Sequence, residues 1–202
     1  MTRLDTQWSF NDECHKGGLI ESMKLVRSHK GTKKIPMLVM NIIGGGSKNH
    51  VQTWLSGTIP TGAKVTAVQV TWRPKDCCHG HYMIMFLTAQ KAVLFDSGDC
   101  TATRFEQHIR RVLSERGYTK PLNVWRGKGT NRGCEQCALW TAFGYHVVAN
   151  DSLERLWSLI NHPPSVRQGL LKAFHKEVLH GRPYKYYSRD SKKSPCKRSC
   201  NF

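Results

Sequence analysis

The sequence predicts an α+β domain in which strands of the first half are followed by helices. Two observations carry that prediction. Between residues 65 and 95 the apolar residues fall in short runs of strand length, and from 103 to 178 they recur largely at helical spacing. With 202 residues, 39% of them hydrophobic, the chain can bury one sizeable core and has no room for two large domains. One compact domain with tails is expected.

Residues 1–50 have no assigned fold. Charged and polar stretches surround Met37-Leu38-Val39-Met40, and Gly44-Gly45-Gly46-Ser47 reads as a flexible joint, so the segment is either an appendage or a strand that joins the core. From Val65 to Trp72, Val65 and Ala67 fall on one face and Val68, Val70 and Trp72 on the other, a strand buried on both sides. Tyr82 to Leu87 and Ala92 to Phe95 are two more strands, joined through Ala89-Gln90-Lys91 as a hairpin. His81 then begins one strand and Asp96 ends its partner, which brings both to the same edge of the sheet.

Thr103 with Glu106 is a capping-box pair, and Phe105, Ile109, Val112 and Leu113 form the apolar stripe of a surface helix ending before Gly117. Leu122 to Trp125 is a further strand, followed by a basic glycine-rich loop from Arg126 to Gly133. The apolar stretch from Cys137 through Val148 reads as a buried helix with Cys137 in its first turn. Asp151 with Glu154, and Ser165 with Gln168, signal two more helix starts. The second helix carries Val166, Leu170, Leu171, Phe174 and Val178, and Gly181 stops it. The expected division is 1–50, a catalytic domain over 51–181, and a basic, mobile tail over 182–202.

Lys and Arg number 31 against 14 Asp and Glu, a net charge of +17. Such a balance attracts polyanions, most simply nucleic acid, the plainer alternative being solubility alone. The run Met1-Thr2-Arg3-Leu4-Asp5 lacks the layout of a secretory signal, and the apolar run from Ile35 to Ile43 is too short to span a bilayer, so a soluble intracellular protein with no membrane partner is expected. In that setting eight Cys point to catalysis, metal ligation or redox chemistry rather than a disulfide scaffold.

His81, Asp96 and Cys137, in that order, are the parts of a thiol protease. A Cys becomes a strong nucleophile when an imidazole takes its proton and a carboxylate orients that imidazole. A helix N-terminus also carries partial positive charge that favours thiolate at Cys137. Cys134, three residues upstream, is the rival nucleophile, without an apolar helix immediately behind it. The plain alternative is a small buried Cys and a hydrogen-bonded His at a strand end. The competing chemistry is zinc: Cys77, Cys78, His79 and His81 cluster, and Cys134-Glu135-Gln136-Cys137 has the spacing of a metal knuckle, which would make a zinc-stabilised nucleic-acid-binding protein. Adjacent Cys77 and Cys78 cannot readily turn both thiolates to one ion, so no metal is assigned.

Gly80-His81-Tyr82-Met83, Leu94-Phe95-Asp96 and Cys137-Ala138-Leu139-Trp140 resemble, in order and spacing, segments of the adenovirus-type proteases (adenain) and the related SUMO-specific proteases. In adenain these read His-Trp-Met, Leu-Phe-Glu and Cys-Gly-Leu-Phe. The resemblance covers roughly residues 65–148. It implies a papain-like, adenain-like cysteine protease with a small central mixed sheet flanked by helices, and assigns His81 as base, Asp96 as its orienting carboxylate and Cys137 as nucleophile. The family's oxyanion-holding Gln lies six or seven residues before the Cys, where this chain has Asn131 and Thr130. Asn131 can donate the same amide N–H, beside the backbone N–H of Cys137. Ala138 replaces the family's Gly.

By the same resemblance the substrates are viral precursor capsid or core proteins, cut after Gly-Gly or Gly-X during virion maturation in the host nucleus and virion interior. Deconjugation of a ubiquitin-like modifier is the alternative use of the same machinery. No cofactor is required, but the family is activated by DNA and by a short basic peptide containing a Cys. The tail residues Cys196, Lys197, Arg198 and Cys200 look like such a peptide carried on the enzyme itself.

Overall fold

The computed structural model describes residues 23–44, 51–73, 81–97, 101–127 and 137–179. Six strands form one mixed sheet: β1 (Met37–Ile43), β2 (Gln52–Ser56), β3 (Val65–Arg73), β4 (His81–Thr88), β5 (Ala92–Asp96) and β6 (Leu122–Arg126), in the order β2-β1-β3-β4-β5-β6. The α+β expectation holds.

The alternatives left open for the segment before residue 51 are resolved for 23–44. Met37–Ile43 is a strand of the core sheet, parallel to β3 through Met40↔Val70 and antiparallel to β2 through Met40↔Leu55. Its run MLVMNII, apolar but for Asn41, suits a strand with neighbours on both edges and cover on both faces. A helical segment over residues 23–28, α1, buries Met23 and Val26.

β3 pairs antiparallel with β4, and β4 with β5. The hairpin between β4 and β5 is closed by Thr88, whose hydroxyl donates to Lys91 O at 2.9 Å and accepts from Lys91 N at 3.1 Å. β6 returns parallel to β5 after the crossover helix α2 (Thr101–Glu115).

The helices divide between the two faces of the sheet. Phe105, Ile109, Val112 and Leu113 of α2 are buried in one apolar cluster with Val68, Val70, Met83, Met85, Leu87 and Leu94. The opposite face, with Ala67, Ile84, Phe86, Val93 and Phe95, is covered by α1, α3 (Cys137–Asn150), α4 (Leu153–Ile160) and α5 (Pro164–Glu177). Because α3 is covered on nearly every side, it is apolar all round rather than striped.

Helix starts differ from the sequence expectations. α2 begins at Thr101, so Thr103 lies inside it and is not a cap. The cap of α4 is Ser152, not Asp151: its hydroxyl accepts from Arg155 N at 3.1 Å, which a side chain one position earlier does not reach. α5 starts on Pro164 with no side-chain cap, because proline has no N–H to satisfy and its fixed φ already suits the first turn, leaving Ser165 within the helix.

The stripe of α5 is also narrower than expected. Leu171, Phe174 and Val178 are buried, but Val166 is exposed, and the position beside it holds the buried Arg167. The Arg167 guanidinium donates to Ile160 O at 3.1 Å and so satisfies a carbonyl at the end of α4. α5 ends at Glu177, and Gly181 lies outside the described residues. No described helix is long and apolar enough to cross a membrane.

Candidate active site

His81 is the first residue of β4, Asp96 the last of β5 and Cys137 the first of α3, so all three come to one end of the sheet. The pairing Ile84↔Phe95 sets Asp96 diagonally across from His81 on the same face, within reach of an imidazole and a carboxylate. His81 Nε2 and Asp96 Oδ1 are 2.5 Å apart. The neighbouring β3 holds this end in register: Trp72 pairs with His81, and its indole N–H donates to Gly44 O at 3.0 Å. The backbone of Asp96 is fixed too, its carbonyl accepting from Gly127 N at 2.8 Å.

Cys137 is buried, and its side chain is hydrogen-bonded to His81. With Nε2 committed to Asp96, Nδ1 is the ring nitrogen left for the sulfur. His81 therefore bridges the carboxylate and the thiol. Burial pulls the His81 pKa down, but hydrogen bonds to Asp96 and Cys137, together with the negative charges of both, outweigh it and hold the imidazole at about 10. The favoured state of the ring is therefore the imidazolium.

Two residues to which the sequence reasoning gave no role in the site shape it. Tyr82 projects from the strand face opposite to His81 and packs against the cluster around α3. Burial, and then the charge of Cys137, push its phenol up to about 12, so it remains a neutral hydroxyl. Gly144 lies seven residues after Cys137 on the same helix face. A lone glycine inside a buried apolar helix was the available signal for close packing there.

Of the other candidates, Asn131, Thr130, Cys134, Cys77, Cys78, His79 and the tail residues Cys196, Lys197, Arg198 and Cys200 lie outside the described residues. The two members of the zinc alternative that are described, His81 and Cys137, are bonded to each other, with Asp96 on the far side of the ring. The backbone N–H of Cys137 belongs to the first turn of α3.

No family model and no curated protein matches this chain. A solved structure that resembles it is that of the SUMO protease Ulp1 with its catalytic cysteine oxidised to a sulfinic acid. The two superpose with a TM-score of 0.37 and 8% sequence identity, covering 58% of this chain and 54% of that one. The chain thus spans about half the length of that structure.

Proposed function

We propose that this protein is a cysteine endopeptidase of the papain-like type, with Cys137 as nucleophile, His81 as general base and acid, and Asp96 as the carboxylate that orients His81. The observation that carries this reading is the doubly bonded imidazole, with Asp96 on Nε2 and Cys137 on the other side at the start of a buried helix.

The chemistry follows from those contacts. The Cys137 proton resides on His81 Nδ1, and the sulfur attacks the carbonyl carbon of the scissile peptide. The resulting oxyanion is held by the backbone N–H of Cys137, with Asn131 proposed as the side-chain donor. His81 gives its proton to the leaving amine, the C–N bond breaks, and a thioester remains. Water, deprotonated by His81, then attacks the thioester and restores the thiolate with release of the acid. Asp96 accepts from His81 Nε2–H and so holds the ring in one tautomer and orientation throughout.

The proposed substrates are viral precursor proteins. Support for that class is the net charge of +17, which would hold the enzyme on packaged nucleic acid where such substrates are concentrated. Deconjugation of a ubiquitin-like modifier uses the same chemistry, and a modifier fused through a Gly-Gly tail separates the two by its turnover relative to a short Gly-X peptide.

The test is labelling with a thiol-directed probe at neutral pH in wild type, Cys137→Ala, Cys134→Ala and His81→Ala. Labelling lost in Cys137→Ala, slowed in His81→Ala and kept in Cys134→Ala supports the assignment. Labelling spread over several Cys, with stoichiometric zinc in the sample, overturns it in favour of the metal-binding module.

A further inference from the structure

The connections at the end of the sheet remote from Cys137 carry cations and no acid. Four described segments meet there: residues 29–36 before β1, 57–64 between β2 and β3, 89–91 between β4 and β5, and 116–121 before β6. Their common level follows from the pairings Met37↔Ala67, Val65↔Thr88 and Ala92↔Leu122, and from the bonds Ala67 N to Pro36 O and Ala92 N to Pro121 O, both 2.8 Å. Together these segments hold Lys30, Lys33, Lys34, Lys64, Lys91, Arg116 and Lys120 without one Asp or Glu.

Arg116 is used internally, donating to Leu55 O and Gly57 O, but Lys30, Lys33, Lys34, Lys64 and Lys120 are exposed and Lys91 is half-exposed. Two of the nearby carboxylates face cations one helical turn away. Glu115, in the last turn of α2, faces Arg111 at 3.7 Å, and Asp151, in the turn after α3, faces Arg155 at 4.0 Å. Glu177 at the end of α5 is exposed. Along the chain, no acid at all occurs between Glu21 and Asp76.

The platform under these lysines is fixed. Lys33 N donates to Asn150 Oδ1 at 2.8 Å, Thr32 Oγ1 and His146 Nδ1 are 2.8 Å apart, and Ile35 exchanges hydrogen bonds with the Tyr145 hydroxyl at 3.3–3.4 Å. Segment 29–36 is thereby tied to the last turns of α3. Strand spacing of about 4.8 Å spreads the row from β1 to β6 over roughly 19 Å, a length of duplex carrying roughly eleven phosphate charges.

We infer that this lysine-bearing end is a binding surface for the phosphate backbone of nucleic acid. The lysines act as point charges on phosphates and read no bases, so binding is independent of sequence and steeply dependent on salt. A strand of eight residues spans about 26 Å, so nucleic acid held here leaves the His81 end of the sheet open to a protein substrate.

The experiment is fluorescence anisotropy of a labelled duplex of about 30 base pairs, with full-length protein, between about 50 and 200 mM salt. Three charge-matched pairs are compared with wild type: Lys64→Glu with Lys120→Glu, Lys33→Glu with Lys34→Glu, and Lys172→Glu with Lys176→Glu, the last on the exposed side of α5. Each sheet-end pair is expected to weaken binding about tenfold or more and to reduce the salt slope by about two, while the α5 pair stays within about twofold. Melting curves identify any pair that does not fold, and the other sheet-end pair then decides. Equal loss in all three pairs, no loss in any, a salt-independent affinity, or saturable binding to anionic vesicles in place of duplex each overturns the inference. Cys137→Ala is expected to bind duplex as wild type does, so failure of the peptidase reading and failure of this one are told apart.

Discussion

Gly144 lies so close to Ile84 that a Cβ added to it would meet Ile84 Cγ2 at 3.1 Å, with Phe95 Cδ1 at 3.5 Å and Leu156 Cδ2 at 3.7 Å. Ile84 stands three residues after His81 on β4, and Phe95 immediately precedes Asp96 on β5. Gly144 therefore sets the distance between the helix that begins with Cys137 and the two strands that carry its partners. Register within the sheet fixes His81 against Asp96, and this close approach sets how near α3 comes to both strands.

Gly144→Val is expected to push α3 off the sheet, costing about 1–3 kcal/mol of stability by overpacking and about 100-fold in peptide turnover, because a displacement of about 1 Å at a nucleophile has that effect. Gly144→Ala is milder, since the better helix propensity of Ala, about 1 kcal/mol, offsets part of the crowding. Melting temperature and kcat/KM on the same preparations check both. Full activity in Gly144→Val would mean that the close approach does not position Cys137.

Asp96→Asn keeps the volume of a side chain only 1% exposed but removes the charge that faces His81 Nε2. A neutral amide no longer selects the tautomer with hydrogen on Nε2, and the imidazolium loses one of its two counter-charges. Turnover is expected to fall by about 10²–10⁴-fold with little change in KM. The alkaline limit of the remaining activity should also move to lower pH, because the shift of His81 to about 10 rests in part on Asp96. A pH–rate profile of the variant that overlays wild type after scaling would contradict this.

The His81 pair also sets a window of stability. Its folded pKa of about 10 lies above the ordinary value of 6.5, so the folded state binds the proton more tightly than the unfolded chain. That contribution is fully present below about pH 6.5 and is lost as pH rises through about 10. Melting temperatures of wild type and His81→Gln should differ most near pH 6 and converge above pH 10. A difference that grew with pH would show that the imidazole is held neutral.

Much of this arrangement was legible in the chain because the informative residues obey simple periods. The strands around His81 and Asp96 have apolar residues at every position, bounded by polar ones, and a three-residue gap between them allows only a hairpin. Cys137 begins the most apolar helical stretch, which identifies its end of the helix. The helix caps were less legible, since Asp151 and Ser152 are both good capping residues and only the backbone decides that Ser152 reaches Arg155 N. The pairing of β1 with β3 was invisible because the partners are distant in sequence, and a run buried on both faces has no alternation to reveal its register. Arg167 reads as one more surface cation until α4 is seen to end against it.

The clamp between segment 29–36 and α3 should fail in acid. His146 Nδ1 lies 2.8 Å from Thr32 Oγ1, its ring packs on Phe174 with centroids 5.4 Å apart, and His29 stands edge-on with centroids 6.1 Å away. Gly31 N donates to His29 Nδ1 at 3.1 Å. Burial, and then the charge of His29, lower the His146 pKa, so the folded state binds a proton at His146 less tightly than the unfolded chain. Stability from this group is present above about pH 6.5 and declines as pH falls below it. Segment 29–36 itself holds Lys30, Lys33 and Lys34 and no carboxylate to offset it. Wild type is therefore expected to lose more melting temperature between pH 8 and pH 5 than His146→Gln, which cannot take up the proton. His29→Asn should fall between them, because it removes the neighbouring charge and leaves His146 able to titrate. Equal losses in wild type and His146→Gln would show that the clamp does not sense pH.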